Sequence, residues 1–134
     1  MKKATRKHTK VHNQHLILRT IYKEGEISRA ELARATRLTK TTVSSIVSDL
    51  ISEGLVEETG LGPSEGGKPP VILGIVDDSR HLIGLDLANS EFRGGVLDLR
   101  GNILHRASLP LDYKTGQTAL EFVIELTEEL FSKA

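Results

Sequence analysis

Short hydroxyl side chains recur at helical spacing in the segment between Thr39 and Gly54. The segment carries apolar residues at positions i, i+3, i+4, i+7 and i+8, namely Val43, Ile46, Val47, Leu50 and Ile51. At about 100° per residue the opposite side presents hydroxyls, namely Thr41, Ser45, Ser48 and Ser52, with Thr42, Ser44 and Asp49 on the flanks. Such side chains donate and accept hydrogen bonds, and they let a helix backbone approach base edges and phosphates. The pattern favours a helix that contacts DNA, and a merely solvated face is the alternative.

A capping signal predicts a shorter helix before this one. Ser28 and Glu31 have the spacing of a capping box, in which each side chain bonds the other residue's backbone amide. Ile27 and Leu32 fall where a hydrophobic staple would fix the entry of the chain. We therefore expect a helix to start at Ser28.

The same signals recur at the start of the hydroxyl-bearing helix. Thr39 is its predicted cap, Leu38 and Val43 form the staple pair, and Gly54 ends the helix. Residues 36–38 alone separate the two helices, and so short a joint holds them at a steep angle. The arrangement predicts a helix-turn-helix whose second helix enters a DNA groove.

A glycine-rich and proline-rich hairpin follows. Residues 55–58 and 71–75 are predicted strands, and residues 60–70 form the loop between them. Gly66 and Gly67 permit close approach of the backbone, and Lys68 can enter a minor groove or lie on phosphate. This layout is a wing, and an ordinary flexible hairpin tip is the alternative.

Residues before the helix-turn-helix predict a further helix and a basic arm. Asn13 is the expected cap of a helix that packs through apolar positions, at Ile17, Ile21, Leu18 and Tyr22. Residues 1–12 are predicted to be a disordered arm. The i, i+4, i+7 spacing of three histidines in this region resembles a metal site, but no Cys or carboxylate joins His8, His12 and His15. A polar lead-in is favoured, and no metal site is predicted.

The net charge of zero conceals two opposite halves. The chain has 18 Lys and Arg and 18 Asp and Glu, of which residues 1–45 hold 11 and 3, and residues 46–134 hold 7 and 15. A basic half joined to an acidic one fits a nucleic-acid module beside a domain with another role. Lys40 lies in the first turn of its helix, where the helix dipole disfavours a cation, which hints at function. Four cations surround the helix-turn-helix, at Arg29, Arg34, Arg37 and Lys40.

After the wing, the pattern changes to three strands and a helix. The strands are predicted at residues 82–87, 92–99 and 103–109, and the helix at residues 118–132. Thr118 and Glu121 have capping-box spacing. One helix face is expected to be apolar, at Leu120, Val123, Ile124, Thr127, Leu130 and Phe131. The fold class is therefore α+β, with a three-strand meander and one helix after the winged part.

These motifs together resemble the N-terminal portion of the ROK transcriptional regulators, from about Asn13 to about Leu111. The resemblance is carried by NQHLILRTIYKEGEISRAELARATRLTKTTVSSIVSDLISEGLVEETG, by GGKPPVILGIV and by HLIGLDLANSEFRGGVLDLRGNIL. It implies a winged helix-turn-helix at residues 13–77 and a truncated actin-like ATPase (ribonuclease H-like) β-β-β-α unit at residues 78–134. It also implies a sequence-specific DNA-binding repressor of carbohydrate-related genes, with a sugar effector only if a complete ROK domain exists.

The ROK family also contains sugar kinases, in which an Asp, a glycine pair and a Thr form the phosphate turn after the first strand. Asp86 matches, but Ala88 and Asn89 replace the glycines and Glu91 adds an anion. Nucleotide binding is therefore not expected, and Asp86 is predicted to bond its own turn. The alternatives to a DNA-binding regulator are a truncated interaction protein that modulates full-length relatives and, less favoured, a sugar kinase.

The predicted partners are double-stranded DNA and a second copy of the chain in a dimer. No catalytic residue, cofactor or metal is assigned. The absence of Cys fits a reducing cytoplasm, and cytoplasmic localisation is expected. The sequence has no apolar run long enough to span a membrane. The residues predicted to contact DNA are Arg29, Arg37, Thr39, Lys40, Thr41, Thr42, Ser44, Ser45, Ser48 and Lys68.

Overall fold

The computed structural model describes residues 5–134 as two compact units, the first ending at Val76 and the second spanning Asp77–Ala134. The first unit contains three helices and three strands, in the order α1 (Arg6–Glu24), β1 (Ile27–Ser28), α2 (Arg29–Thr36), α3 (Lys40–Ser52), β2 (Val56–Leu61) and β3 (Val71–Ile75). Its sheet has the order β1-β3-β2 with antiparallel pairs. These elements form a winged helix-turn-helix, as the sequence predicts.

The capping box at the start of α2 is present. The Ser28 hydroxyl accepts a bond from the Glu31 amide at 3.3 Å, and the Ser28 amide donates to the Glu31 carboxylate at 2.8 Å. Bonds from the Ser28 amide and hydroxyl hold the pKa of the Glu31 carboxyl below its usual value. The box therefore fixes where α2 begins.

The turn between α2 and α3 is as short as expected. Arg37 adopts a left-handed conformation, with φ of 59°, and Thr39 caps α3 by accepting from the Thr42 amide at 3.2 Å. Glu53 ends α3, and Gly54 follows with φ of 71°. Both ends of α3 therefore lie where the sequence signals put them.

The three helices pack on the sheet around one apolar core. Its fully buried side chains come from all three helices and both wing strands, and they are Ile17, Ile21, Leu32, Val43, Val47, Leu50, Val56 and Leu73. Tyr22, an expected core residue, is 43% exposed. β1 was missed in the sequence because a strand of two residues is too short to show alternation.

The predicted start of α1 is wrong. The helix begins at Arg6, and Asn13, its expected cap, lies inside it. Thr5 is the cap, accepting from the His8 amide at 3.4 Å, and Lys10 bonds Asp49 of α3 at 2.7 Å. Part of the expected arm is therefore helical, and residues 1–4 lie outside the described part of the chain.

The second unit is a meander covered on one face by a helix. Its elements are β4 (Leu82–Leu87), β5 (Glu91–Leu97), β6 (Ile103–Pro110) and α4 (Gln117–Lys133), and the sheet order is β4-β5-β6 with antiparallel pairs. The buried side chains between sheet and helix are Phe92, Val96, Leu111, Leu126 and Leu130. This is the β-β-β-α unit that the sequence predicts.

The turn after β5 explains why that strand ends at Leu97 rather than at the predicted Leu99. The Asp98 carboxylate accepts bonds from the Arg100 amide at 2.9 Å, and from the backbone and side-chain amides of Asn102 at 2.9 and 2.8 Å. The Asn102 side chain and these backbone amides hold the pKa of Asp98 below its usual value. The Asp98 carboxylate takes the backbone donors of this turn, so they are not available for strand pairing beyond Leu97.

One expectation for α4 is wrong. Thr118 is not its cap, because the helix begins at Gln117 after Gly116, without a side-chain cap. Leu126 and Leu130 are fully buried, whereas three residues of the expected apolar face are half-exposed or more, at Leu120 (53%), Ile124 (50%) and Phe131 (67%). The apolar arc of α4 is wider than one sheet covers, so its periodicity did not show which part is buried.

Candidate nucleic-acid interface

The hydroxyl face of α3 is open to solvent. Thr41, Ser44, Ser45 and Ser48 are exposed, and none of these four side chains has a hydrogen-bond partner within residues 5–134. The opposite side of the same helix is locked into the core by four buried side chains, Val43, Ile46, Val47 and Leu50. A rigidly seated helix therefore presents unpaired donors and acceptors, which is what hydrogen bonding to base edges and phosphates requires.

Two of the predicted contact residues already bond each other. The Thr39 hydroxyl lies 2.9 Å from the Thr42 hydroxyl and also accepts from the Thr42 backbone amide. This pair holds the first turn of α3, where the free amides and the helix dipole attract anions. Thr39 and Thr42 thus build the end of the helix, and the cation of Lys40 stands exposed beside them.

Three predicted cations are exposed and form no ion pair within residues 5–134, at Arg37, Lys40 and Lys68. Arg37 lies in the tight turn between α2 and α3, where it adopts the left-handed conformation. Cations that no protein carboxylate neutralises are available to phosphate.

The remaining two cations of the helix-turn-helix lie beside carboxylates. Arg29 bonds Glu58 of β2 at 2.9 Å, so that its guanidinium ties the start of α2 to the wing. Arg34 lines a cleft of about 430 Å³ with three carboxylates, those of Glu24, Glu26 and Glu31. Sequence could not show either arrangement, because Glu58 is distant along the chain and the cleft brings α1 to α2.

The wing tip is a tight glycine turn. Gly66 and Gly67 have φ of 96° and 134°, values that side chains rarely allow, and the Gly67 carbonyl accepts a bond from the Ser64 hydroxyl at 3.0 Å. The Gly62 amide bonds the Pro70 carbonyl at 2.8 Å and closes the base of the loop. Lys68 therefore projects from a loop with defined backbone geometry rather than from a featureless tip.

The first turns of α1 also lie beside the exposed face of α3, which the sequence did not predict. Arg6, Thr9, Lys10 and Asn13 line a cleft of about 390 Å³ whose other wall belongs to α3, at Thr41, Thr42, Ser45 and Ile46. A signal for this helix was present, because no Gly or Pro occurs among residues 1–24. The bond to Asp49 and the charge of that carboxylate raise the pKa of Lys10.

In the second unit the prediction that Asp86 bonds its own turn is wrong. Its carboxylate pairs with Arg93, directly opposite on β5, at 2.8 Å. The turn itself closes through a backbone bond from Ala88 to Glu91 at 3.2 Å. The Asp86 carboxylate is therefore paired across the strands rather than with its own turn.

Among residues 5–134 no three His, Asp or Glu side chains are grouped as metal ligands, and His8, His12 and His15 are exposed along α1. None of the helices described there combines the length and apolar character that crossing a bilayer requires.

Comparison with known proteins matches the first unit and then most of the chain. The profile of the MarR family matches residues 11–64, which span α1 to the wing. The xylose repressor of Bacillus spizizenii is 35% identical over 121 residues, or 90% of this chain and 32% of that protein. The DNA-binding transcriptional dual regulator NagC of Escherichia coli is 32% identical over 108 residues, or 79% of this chain and 26% of that protein.

A solved structure resembles the fold. It is that of a ROK family transcriptional regulator, a homologue of the Escherichia coli MLC protein, with a TM-score of 0.76, 22% identity, and coverage of 94% of this chain and 32% of that one. The chain thus spans about a quarter to a third of the length of these proteins.

Proposed function

Because the chain belongs to the ROK family of transcriptional regulators, we propose that it binds duplex DNA at specific sequences and represses transcription. The observation that carries this proposal is the exposed hydroxyl face of α3, mounted on a helix whose other side is buried. In a helix-turn-helix the second helix lies in the major groove and its N-terminal residues contact base edges. Here those residues are Thr41, Ser44, Ser45 and Ser48.

The predicted contact residues divide into three roles in this proposal. Hydroxyls of α3 read bases, and Arg37, Lys40 and Lys68 neutralise phosphates. Thr39 and Thr42 keep the first turn of α3 in shape, as their mutual bond indicates. Arg29 acts through its ion pair with Glu58, by holding the wing in place rather than by touching DNA.

The regulated genes are proposed to serve carbohydrate use. This rests on the names of the relatives, one a xylose repressor and others N-acetylglucosamine repressors. A sugar effector is proposed only if a complete ROK domain exists, since the chain matches about a quarter to a third of the length of those regulators. The Asp86–Arg93 pair and the side chains of Ala88 and Asn89 at the family's phosphate turn favour regulation over sugar phosphorylation.

A dimer is the proposed binding form. The second unit leaves an apolar stripe on α4 exposed, at Leu120, Ile124 and Phe131, and uncovered apolar surface favours association. Two copies related by a two-fold axis would read a pseudo-palindrome, with half-sites spaced by about one helical turn or a multiple of it.

Selection from a pool of random duplexes tests the function. We expect the protein to enrich a pseudo-palindromic site and to bind it about 10³-fold or more tightly than random duplex, the usual ratio for specific regulators. A single enriched half-site would remove the dimer and keep the specific binding. Enrichment of no sequence would contradict the proposed function.

A further inference from the structure

The cleft between the first turns of α1 and the exposed face of α3 holds unpaired polar groups on both walls. Arg6 is exposed, and neither its guanidinium nor the Asn13 amide has a partner within residues 5–134. Thr41 and Ser45 stand on the opposite wall, and the buried Ile46 contributes to the lining. The cleft is therefore lined by hydrogen-bond donors that the protein itself does not use.

Two polar contacts join α1 and α3 at this cleft. Lys10 of α1 bonds Asp49 of α3 at 2.7 Å, and Gln14 bonds Glu53 one turn further along at 3.4 Å. These contacts seat α1 against α3, so Arg6 keeps a defined place beside the hydroxyl face. They also neutralise Lys10, which leaves Arg6 as the unpaired cation of this wall.

We propose that this cleft grips the phosphate backbone of the DNA strand next to the groove that α3 reads, with Arg6 and Asn13 as the contacting residues. The proposal rests on the proposed function and extends it to α1, because Thr41 and Ser45 belong to both surfaces. In this proposal, the DNA strand that borders the groove occupied by α3 passes along the cleft wall formed by α1.

The chemistry of the walls selects a phosphodiester over other occupants. The volume of about 390 Å³ falls in the range that holds small molecules, roughly 300–1,000 Å³. However, no aromatic side chain lines the cleft, and a stacking platform for a base or an apolar ligand is missing. Guanidinium, amide and hydroxyl donors match phosphate oxygens instead.

Salt titrations of duplex binding by the full chain test the proposal. Each phosphate contact contributes about −0.9 to the slope of log K against log salt concentration. Arg6→Ala should therefore make the slope shallower by about 0.9, with the same loss of affinity on specific and random duplexes. Asp49→Asn removes an anion and releases Lys10, and the slope should become steeper by about 0.9.

The matched control is Lys23→Ala, which removes an exposed cation from the last turn of the same helix, away from the cleft. Its slope should equal that of the unmodified protein, and circular dichroism shows whether each variant retains its helices. Duplex binding with an unchanged slope in Arg6→Ala would overturn this proposal and leave the proposed function standing. Failure of the unmodified protein to bind duplex would overturn both.

Discussion

Raising the salt concentration from 50 to 200 mM is expected to weaken duplex binding by about 150-fold. Four cations are available to phosphate, at Arg6, Arg37, Lys40 and Lys68, because none of them is paired within residues 5–134. Four neutralised phosphates give a slope of about −3.6, and a fourfold rise in salt then lowers the association constant by about two orders of magnitude.

The double variant Arg37→Ala, Lys40→Ala should flatten that slope by about 1.8, since two phosphate contacts are lost. Arg34→Ala provides the control. Arg34 lies in a cleft with three carboxylates, so its removal should leave the slope unchanged. Fluorescence anisotropy of a labelled duplex at a series of salt concentrations measures all three slopes. A salt-independent affinity would contradict electrostatic binding, and an effect of Arg34→Ala would contradict the division of the cations.

Leu130→Ala is expected to destabilise the second unit by about 2–5 kcal/mol, whereas Phe131→Ala, at the next position, should change little at protein concentrations too low for the proposed dimer. Leu130 is fully buried against the sheet, where its side chain approaches Gly94, and a cavity would remain. Phe131 is 67% exposed. The neighbouring substitutions thus separate a buried from an exposed apolar residue on one helix.

Amide hydrogen exchange measures this difference within each unit. Amides of the central strand β5 should exchange about 30-fold to several thousand-fold faster in Leu130→Ala, and amides of β3 in the first unit should be unchanged. An equal cost for Phe131→Ala at high protein concentration, lost on dilution, would mean that a second copy covers the stripe. An equal cost at every concentration would contradict the burial of α4 described here.

Local signals in the sequence were sufficient for the helix-turn-helix. The cap at Ser28, the cap at Thr39 and the stop at Gly54 each depend on bonds within a few residues, and all three are confirmed. The buried side of α3 followed from a single period of apolar residues. Such features are legible because the physical cause lies inside the element.

Features that depend on contacts between elements could not be predicted from the sequence. α1 begins at Arg6 and its Lys10 bonds Asp49 of α3, and Arg29 pairs with Glu58 of β2. The apolar arc of α4 is wider than the sheet it covers, so its periodicity could not show that Leu126 is buried and Leu120 is exposed. The cleft between α1 and α3 belongs to the same class, since its two walls come from distant segments.

The most direct test of base reading by α3 uses four alanine variants. Their affinities for the selected site and for random duplex are measured at one salt concentration. Thr41→Ala and Ser45→Ala should each weaken binding to the selected site by about 5- to 150-fold and leave random duplex within about twofold. Lys68→Ala should weaken both duplexes equally, and Ser52→Ala, at the last residue of the same helix, should change neither. Equal losses on both duplexes for Thr41→Ala, Ser45→Ala and Lys68→Ala would contradict base reading by α3.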